Sequence, residues 1–298
     1  MNRIICTDDD PAVSPDLNVI AYVWAWTNNY VQQRHSRSQW LLERLVTEVW
    51  NESFQRVMRG CIDNIHDTPT TLDLTGNEIG SNGAQCLGRA LLTNKALTTL
   101  NLDYNKIGPT GAKYLSQALQ TNKTLTRFDL GDNEIGEEGA QHLADVLLTN
   151  ATIITLDISC NEIGSIGAQY FADILRTNVT LTTLNLGDNN IGDEGAEKLA
   201  DVLRNNMTLT ALNLEQNRIG LGGIQHLADA LGRNMALTIL DLNQNNIGDE
   251  GATSLADALR INTTLTTLLL DESGIEEKGA ECLADALRTN MVRTDSRS

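Results

Sequence analysis

The chain has 298 residues and a formal net charge of −17, with 22 Lys and Arg against 39 Asp and Glu. That balance excludes broad phosphate binding, which needs clustered cations, so no nucleic-acid partner is expected and a basic protein surface is favoured instead. No apolar run approaches the roughly 20 residues of a membrane span, which excludes a membrane partner of that kind. All four Trp lie within the first 50 residues, whereas the Gly fall almost wholly after residue 60, so two differently built parts are expected. Met1 to Cys6 runs into Asp8-Asp9-Asp10 without the apolar stretch of a signal peptide. Cysteines at 6, 61, 86, 160 and 282 are odd in number and scattered, as suits reduced thiols. The expected location is therefore cytoplasmic, with nuclear as the alternative.

Residues 1–10 read as a disordered acidic leader and residues 11–67 as a helical segment. Leu17 to Val31 carries Val19, Ile20, Val23, Trp24 and Trp26 on one apolar face. Further helical runs cover Ser38 to Trp50 and Ser53 to Ile62, and Pro69 marks the boundary. The plain reading is a cap over one end of the repeats that follow. The run Pro11-Ala12-Val13-Ser14-Pro15-Asp16-Leu17-Asn18-Val19-Ile20-Ala21-Tyr22-Val23-Trp24, with Trp50-Asn51, Arg56-Val57 and Cys61-Ile62-Asp63, resembles the C-terminal edge of mariner-like transposases. The resemblance implies three acids holding two metal ions for DNA strand transfer. Ala21 occupies the position of the third acid and Val19 that of the preceding proline. Alanine cannot ligate a metal, so no catalysis is expected from what reads as a transposase remnant, either a domesticated cap or the product of mistaken gene assembly.

From Leu72 the motif Leu-x-Leu-x-x-Asn-x-Ile-Gly recurs every 28 residues, at Leu72, Leu100, Phe128, Leu156, Leu184, Leu212 and Leu240, with a degenerate copy at Leu268. Leu72 and Leu74 alternate with Thr71, Asp73 and Thr75, the period of a short strand with one buried face. Asn77, Asn105, Asn133, Asn161, Asn189, Asn217 and Asn245, with Ser273 in the eighth copy, are expected to hydrogen-bond main chain where the strand ends. Gly83 is expected to free the chain to begin a helix, on which Leu87 and Leu91 face one core. A second column, Asn94, Asn122, Asn150, Asn178, Asn206, Asn234, Asn262 and Asn290, reads as a left-handed cap on each helix.

This pattern resembles the leucine-rich repeat family in its 28-residue form, as in ribonuclease inhibitors, Ran GTPase-activating proteins and the sensing ends of NOD-like receptors. The resemblance implies an α/β right-handed solenoid over residues 68–291, with a parallel inner sheet and outer helices, and a disordered tail at 292–298. A concave strand face would then show a first column of Asp73, Asn101, Asp129, Asp157, Asn185, Asn213, Asp241 and Leu269. Two more columns add Asp103, Glu215 and Asp271, then Asp132, Asp188 and Glu272. Together they hold ten acids and no base, with Arg127 the one cation nearby. Tyr104 is the candidate aromatic anchor.

Enzyme chemistry finds no support in the sequence. His142 and His226 lie three repeats apart, and Cys86 and Cys282 seven, too far to ligate one metal or bridge. The Gly-x-x-Gly runs lack the Lys-Ser/Thr of a phosphate loop. The expectation is a non-enzymatic scaffold without cofactor, metal or small-molecule substrate, holding a basic protein on its acidic face or on loops with Glu137-Glu138, Asp193-Glu194 and Asp249-Glu250. Alternatives are a small-GTPase regulator, or an inactive transposase-derived protein acting on DNA, which Ala21 argues against. An inhibitor of basic ribonucleases fits the charge, but the repeats lack the cysteine and tryptophan richness of that group.

Overall fold

The structure, a computed structural model, describes residues 70–295. The acidic leader, the transposase-like segment with Ala21 and the last three residues lie outside the described residues. Among the described residues, eight strands alternate with eight helices: β1 Thr71–Asp73, α1 Gly80–Leu91, β2 Thr99–Asn101, α2 Gly108–Leu119, β3 Arg127–Asp129, α3 Gly136–Leu147, β4 Thr155–Asp157, α4 Gly164–Leu175, then β5 Thr183–Asn185, α5 Gly192–Leu203, β6 Ala211–Asn213, α6 Leu221–Leu231, β7 Ile239–Asp241, α7 Gly248–Leu259, β8 Thr267–Leu269 and α8 Glu277–Asp295. The strands form one open parallel sheet in sequence order. Each pairs with the next at an offset of 28, so Leu72 faces Leu100, Leu100 faces Phe128 and Phe128 faces Leu156. The expected α/β solenoid of repeats is therefore the architecture observed.

Register follows from burial. Leu100 and Leu102 are fully buried while Thr99, Asn101 and Asp103 are partly exposed, so a one-residue slip would turn the leucines to water. On α2, Ala112, Leu115, Ala118 and Leu119 bury the opposite wall of the same core. A single strand and helix cannot enclose these side chains. Stacked copies can, and each repeat covers its neighbour.

The turn from strand to helix passes through left-handed backbone. In the third repeat these residues are Asp132 (φ 52), Glu134 (φ 56) and Gly136 (φ 62). The turn glycine is thus of the Gly80 and Gly136 column, not that of Gly83. The latter column lies buried inside the helix and serves close approach: a Cβ on Gly139 would stand 2.4 Å from Ile135 Cγ2 and 3.2 Å from Pro109 Cα of the preceding repeat.

Two ladders of asparagine join the repeats. Asn161, fully buried, donates Nδ2 hydrogen bonds to the carbonyls of Leu130 (2.9 Å), Ile158 (3.0 Å) and Ser159 (2.8 Å). Its Oδ1 accepts from the amides of Asn133 (3.0 Å) and Ile135 (3.1 Å) in the preceding repeat. The second column works differently from the expected left-handed cap. Asn94, Asn122 and the later members are absent from the positive-φ residues, and the helix ends in right-handed residues such as Leu148 (φ −62). Asn150 instead accepts at Oδ1 from the amides of Thr152 (2.9 Å) and Ile153 (3.0 Å), and donates Nδ2 to Leu119 O (2.8 Å) at the preceding helix end. A carbonyl orphaned at a helix C-terminus is satisfied from the next repeat, which makes a left-handed turn unnecessary.

Asn161→Ala should cost about 3 kcal/mol or more in urea unfolding, because several buried main-chain groups lose partners at once. A cost under about 1 kcal/mol would show that the ladder is dispensable. In the eighth repeat Ser273 reaches Leu242 O (3.3 Å) and Asp271 O (3.1 Å) through one hydroxyl. Ser273→Asn should therefore stabilise the C-terminal repeat by about 1 kcal/mol, visible as slower amide exchange in α7 and α8.

Candidate protein-binding face

The first-column residue sits at the C-terminal end of each strand, and its carboxyl or amide oxygen has a local task. Oδ1 accepts the amide two residues on: Asp73 from Thr75 (3.0 Å), Asn101 from Asp103 (2.9 Å), Asp157 from Ser159 (2.9 Å), Asn185 from Gly187 (3.0 Å), Asn213 from Glu215 (2.7 Å) and Asp241 from Asn243 (3.0 Å). Aspartate and asparagine both offer this acceptor, which is why the column mixes them. In the eighth repeat Leu269 cannot accept, and the Asp271 amide turns to Asn243 Oδ1 (2.6 Å).

The third repeat breaks the pattern although its aspartate is present. The Gly131 amide donates to Asp103 Oδ1 of the preceding repeat (2.6 Å). Asp129 is expected from the repeat pattern to be an exposed member of the face, but it is buried, at 4% exposure. Its Oδ2 accepts from Arg127 Nε (2.8 Å), and its Oδ1 has no hydrogen-bond partner. Arg127 and Asp129 lie two apart on β3 and share its outward side, so the arginine side chain reaches the carboxylate directly.

Asp129 is held between Asn101 and Asp157 on the paired strands, with Asp73 and Asp103 close enough to be felt electrostatically. Burial pushes the Asp103 carboxyl up from its ordinary 3.8 to about 6; the Gly131 amide opposes this, while Asp157, Asp129 and Asp73 add to it. Burial likewise raises Asp129, against the lowering effect of Arg127. Glu215 is raised by burial and by Asp241 and Asp188. The fold thus brings Asp73, Asp103, Asp129 and Asp157 into one electrostatic group. Glu215, Asp241 and Asp188 form a second.

The remaining expected face residues are dispersed. Tyr104 is 60% exposed with φ 59, and Asp132 and Glu272 are exposed at the same left-handed turn position, which Asp188 of the second group also occupies. Asp271 is also exposed. Two of the loop acids work inside the fold: Asp193 Oδ1 accepts the Gly220 amide (2.6 Å), and Asp249 Oδ1 accepts those of Glu276 (2.8 Å) and Gly279 (2.9 Å). The Cys160 thiol is pushed up to about 11 by burial and by Asp188, Asp132 and Asp157, which removes its nucleophilic thiolate at neutral pH. Among the described residues, no group of three His, Cys, Asp or Glu side chains is placed to hold a metal ion. No described helix is long and apolar enough to cross a membrane.

A leucine-rich repeat family model matches residues 70–88, 93–116, 121–144, 149–172, 177–200, 205–228 and 233–256. The chain belongs to the leucine-rich repeat family. The eighth repeat falls outside the match, where Ser273 and Glu276 replace the asparagine and glycine of the motif. Comparison with curated proteins gives no match. Among solved structures the leucine-rich repeat chain is similar to leiomodin-1 actin-binding site 2, at 19% identity over 61% of this chain and 90% of that one, TM-score 0.39. It is similar to the tropomodulin C-terminal domain of Caenorhabditis elegans, at 13% identity over 52% and 96%, TM-score 0.42. It also resembles the leucine-rich repeat-containing protein LegL7 of Legionella pneumophila, at 19% identity over 76% and 92%, TM-score 0.39.

The raised Asp103 carboxyl has a definite consequence for stability. Between its unfolded value near 4 and its folded value of about 6, the folded state binds more protons, so this group adds stability as pH falls through that window. Above it, the ionised carboxylate is a burden. Asp103→Asn keeps the acceptor for Gly131 and should raise the thermal midpoint at neutral pH by about 2–4 °C, the gain fading below about pH 4. A variant equally stabilised at both pH values would show that ionisation of Asp103 is not the cause.

Proposed function

We propose that this leucine-rich repeat chain is a non-enzymatic scaffold that holds a protein partner with a basic surface against the strand ends. The observation that carries the reading is negative charge in excess of its internal compensation. Asp73, Asp103, Asp129 and Asp157 form a group whose neighbouring cation is Arg127, and Glu215, Asp241 and Asp188 follow further along the same sheet. A solenoid that spreads acids over consecutive repeats offers a partner an extended field, which steers association and fixes register. Tyr104 supplies an exposed aromatic surface at the edge of this field. The constant offset of 28 between paired strands supports placing these repeats in the long type that the sequence resembles.

The test is affinity capture with the full chain against the Asp157→Lys and Asp188→Lys double variant. Expected is a captured protein of basic pI, lost from the variant and lost from the wild type as salt rises from about 0.05 to 0.5 M. Capture unchanged by both the charge reversals and the salt would overturn the acidic-face reading.

A further inference from the structure

The third repeat already holds a guanidinium against its own acids. Arg127 occupies the strand position that is Thr71, Thr99, Thr155, Thr183, Ala211, Ile239 and Thr267 in the other repeats. Its side chain is 55% exposed, yet its Nε is hydrogen-bonded to a carboxylate that is almost wholly buried. More than half of the arginine side chain thus meets solvent while its Nε is tied to Asp129. The other carboxylate oxygen, Asp129 Oδ1, is buried and has no hydrogen-bond partner, which is costly and unusual.

Carboxylates flank this spot on both sides. Gly131 carries no side chain, and a Cβ there would meet Asp103 Oδ1 and Ser159 Oγ at 3.1 Å each. Ser159 Oγ in turn donates to Asp157 Oδ1 (2.7 Å). Asp157 is further committed through Oδ2, which accepts from Asn185 Nδ2 (2.7 Å). Asp103 Oδ1 is used by Gly131. The buried acceptor left without a partner in this group is Asp129 Oδ1, and the charge around it exceeds what a single arginine neutralises. The group does not have metal-binding geometry, whereas it accepts a planar cationic donor as the structure stands.

We infer that Arg127 is an internal stand-in for a cationic side chain of the basic partner, and that docking exchanges the Arg127–Asp129 pair for one between Asp129 and the partner. The inference rests on the acidic-face reading above and narrows it to one carboxylate group. The exchange is favoured because Arg127 engages a single oxygen through Nε, while a guanidinium approaching from outside can present two parallel N–H donors to both oxygens. Once displaced, the Arg127 side chain returns to water from a position in which more than half of it is already exposed.

The experiment uses the full chain, a fluorescein-labelled hexa-arginine peptide and fluorescence anisotropy at low salt. Arg127→Gln removes the competitor and should tighten binding about fivefold. Removal of any surface cation helps a cationic peptide, so Lys106→Gln is the control: Lys106 pairs with Glu78 at 2.8 Å, with both side chains 62% exposed. It should tighten binding by less than about twofold. Asp129→Asn should weaken wild-type binding about fivefold and cancel the gain from Arg127→Gln in the double variant. If Asp129→Asn does not fold by circular dichroism, the Arg127 and Lys106 comparison decides alone. Equal effects of Arg127→Gln and Lys106→Gln, or an Arg127→Gln gain that survives Asp129→Asn, would overturn the stand-in while leaving the acidic face intact. No binding by the wild type or any variant would remove both.

Discussion

Every 28 residues this chain must leave a strand, turn, and later leave a helix, each time with main-chain polar groups inside a hydrophobic core. Those groups set the terms on which the repeats can stack. Leucine fills the space, but a buried amide or carbonyl without a partner costs as much as a well-packed side chain gains. Asparagine answers this because it carries a donor and an acceptor on one short arm. Asn161 spends both on main chain in two repeats at once, accepting from Asn133 and Ile135 while donating to Leu130, Ile158 and Ser159. The second ladder does the same at the helix ends, as Asn150 does for Leu119. Each repeat is therefore completed by the one after it, and cooperativity passes along the chain through hydrogen bonds as well as through leucine contacts.

Much of this was legible in the sequence because the period is fixed. A leucine alternating with polar residues and a helix with apolar residues four apart each identify an element, and the 28-residue spacing fixes the parallel register, even where Phe128 replaces leucine. The roles of single columns were harder to read, since each depends on what the adjacent repeat places beside it. Gly139 looks like a hinge in its own repeat, and only the nearness of Pro109 shows that it is a contact. Asn150 looks like a left-handed cap, and only Leu119 O, 31 residues earlier, explains why it need not be one.

The site was less legible than the fold for the same reason. The sequence shows four aspartates in the first column, but not that Asp73, Asp157 and Asp241 each give one oxygen to the amide two residues on. Nor does it show that Asp103 takes the amide of Gly131 and leaves Asp129 without that bond. Arg127 carried a visible signal, as the cation in a column of threonine, alanine and isoleucine. Its meaning required knowing that Arg127 and Asp129, two apart on β3, share a side and that the Asp129 carboxylate is buried there.

The exchange of aspartate with asparagine along the first column separates what the fold needs from what it merely carries. Asn101, Asn185 and Asn213 accept the following amide as well as Asp73, Asp157 and Asp241 do, so capping uses an oxygen and is indifferent to charge. Charge is costly here: Asp129 and Asp157 face each other in register, and burial raises the Asp103 and Asp129 carboxyls. Asparagine at those positions would give the same caps without the repulsion. The negative charge of the strand ends therefore lies outside the requirements of the repeat. On the reading proposed above, its use is to meet a cation from outside the solenoid.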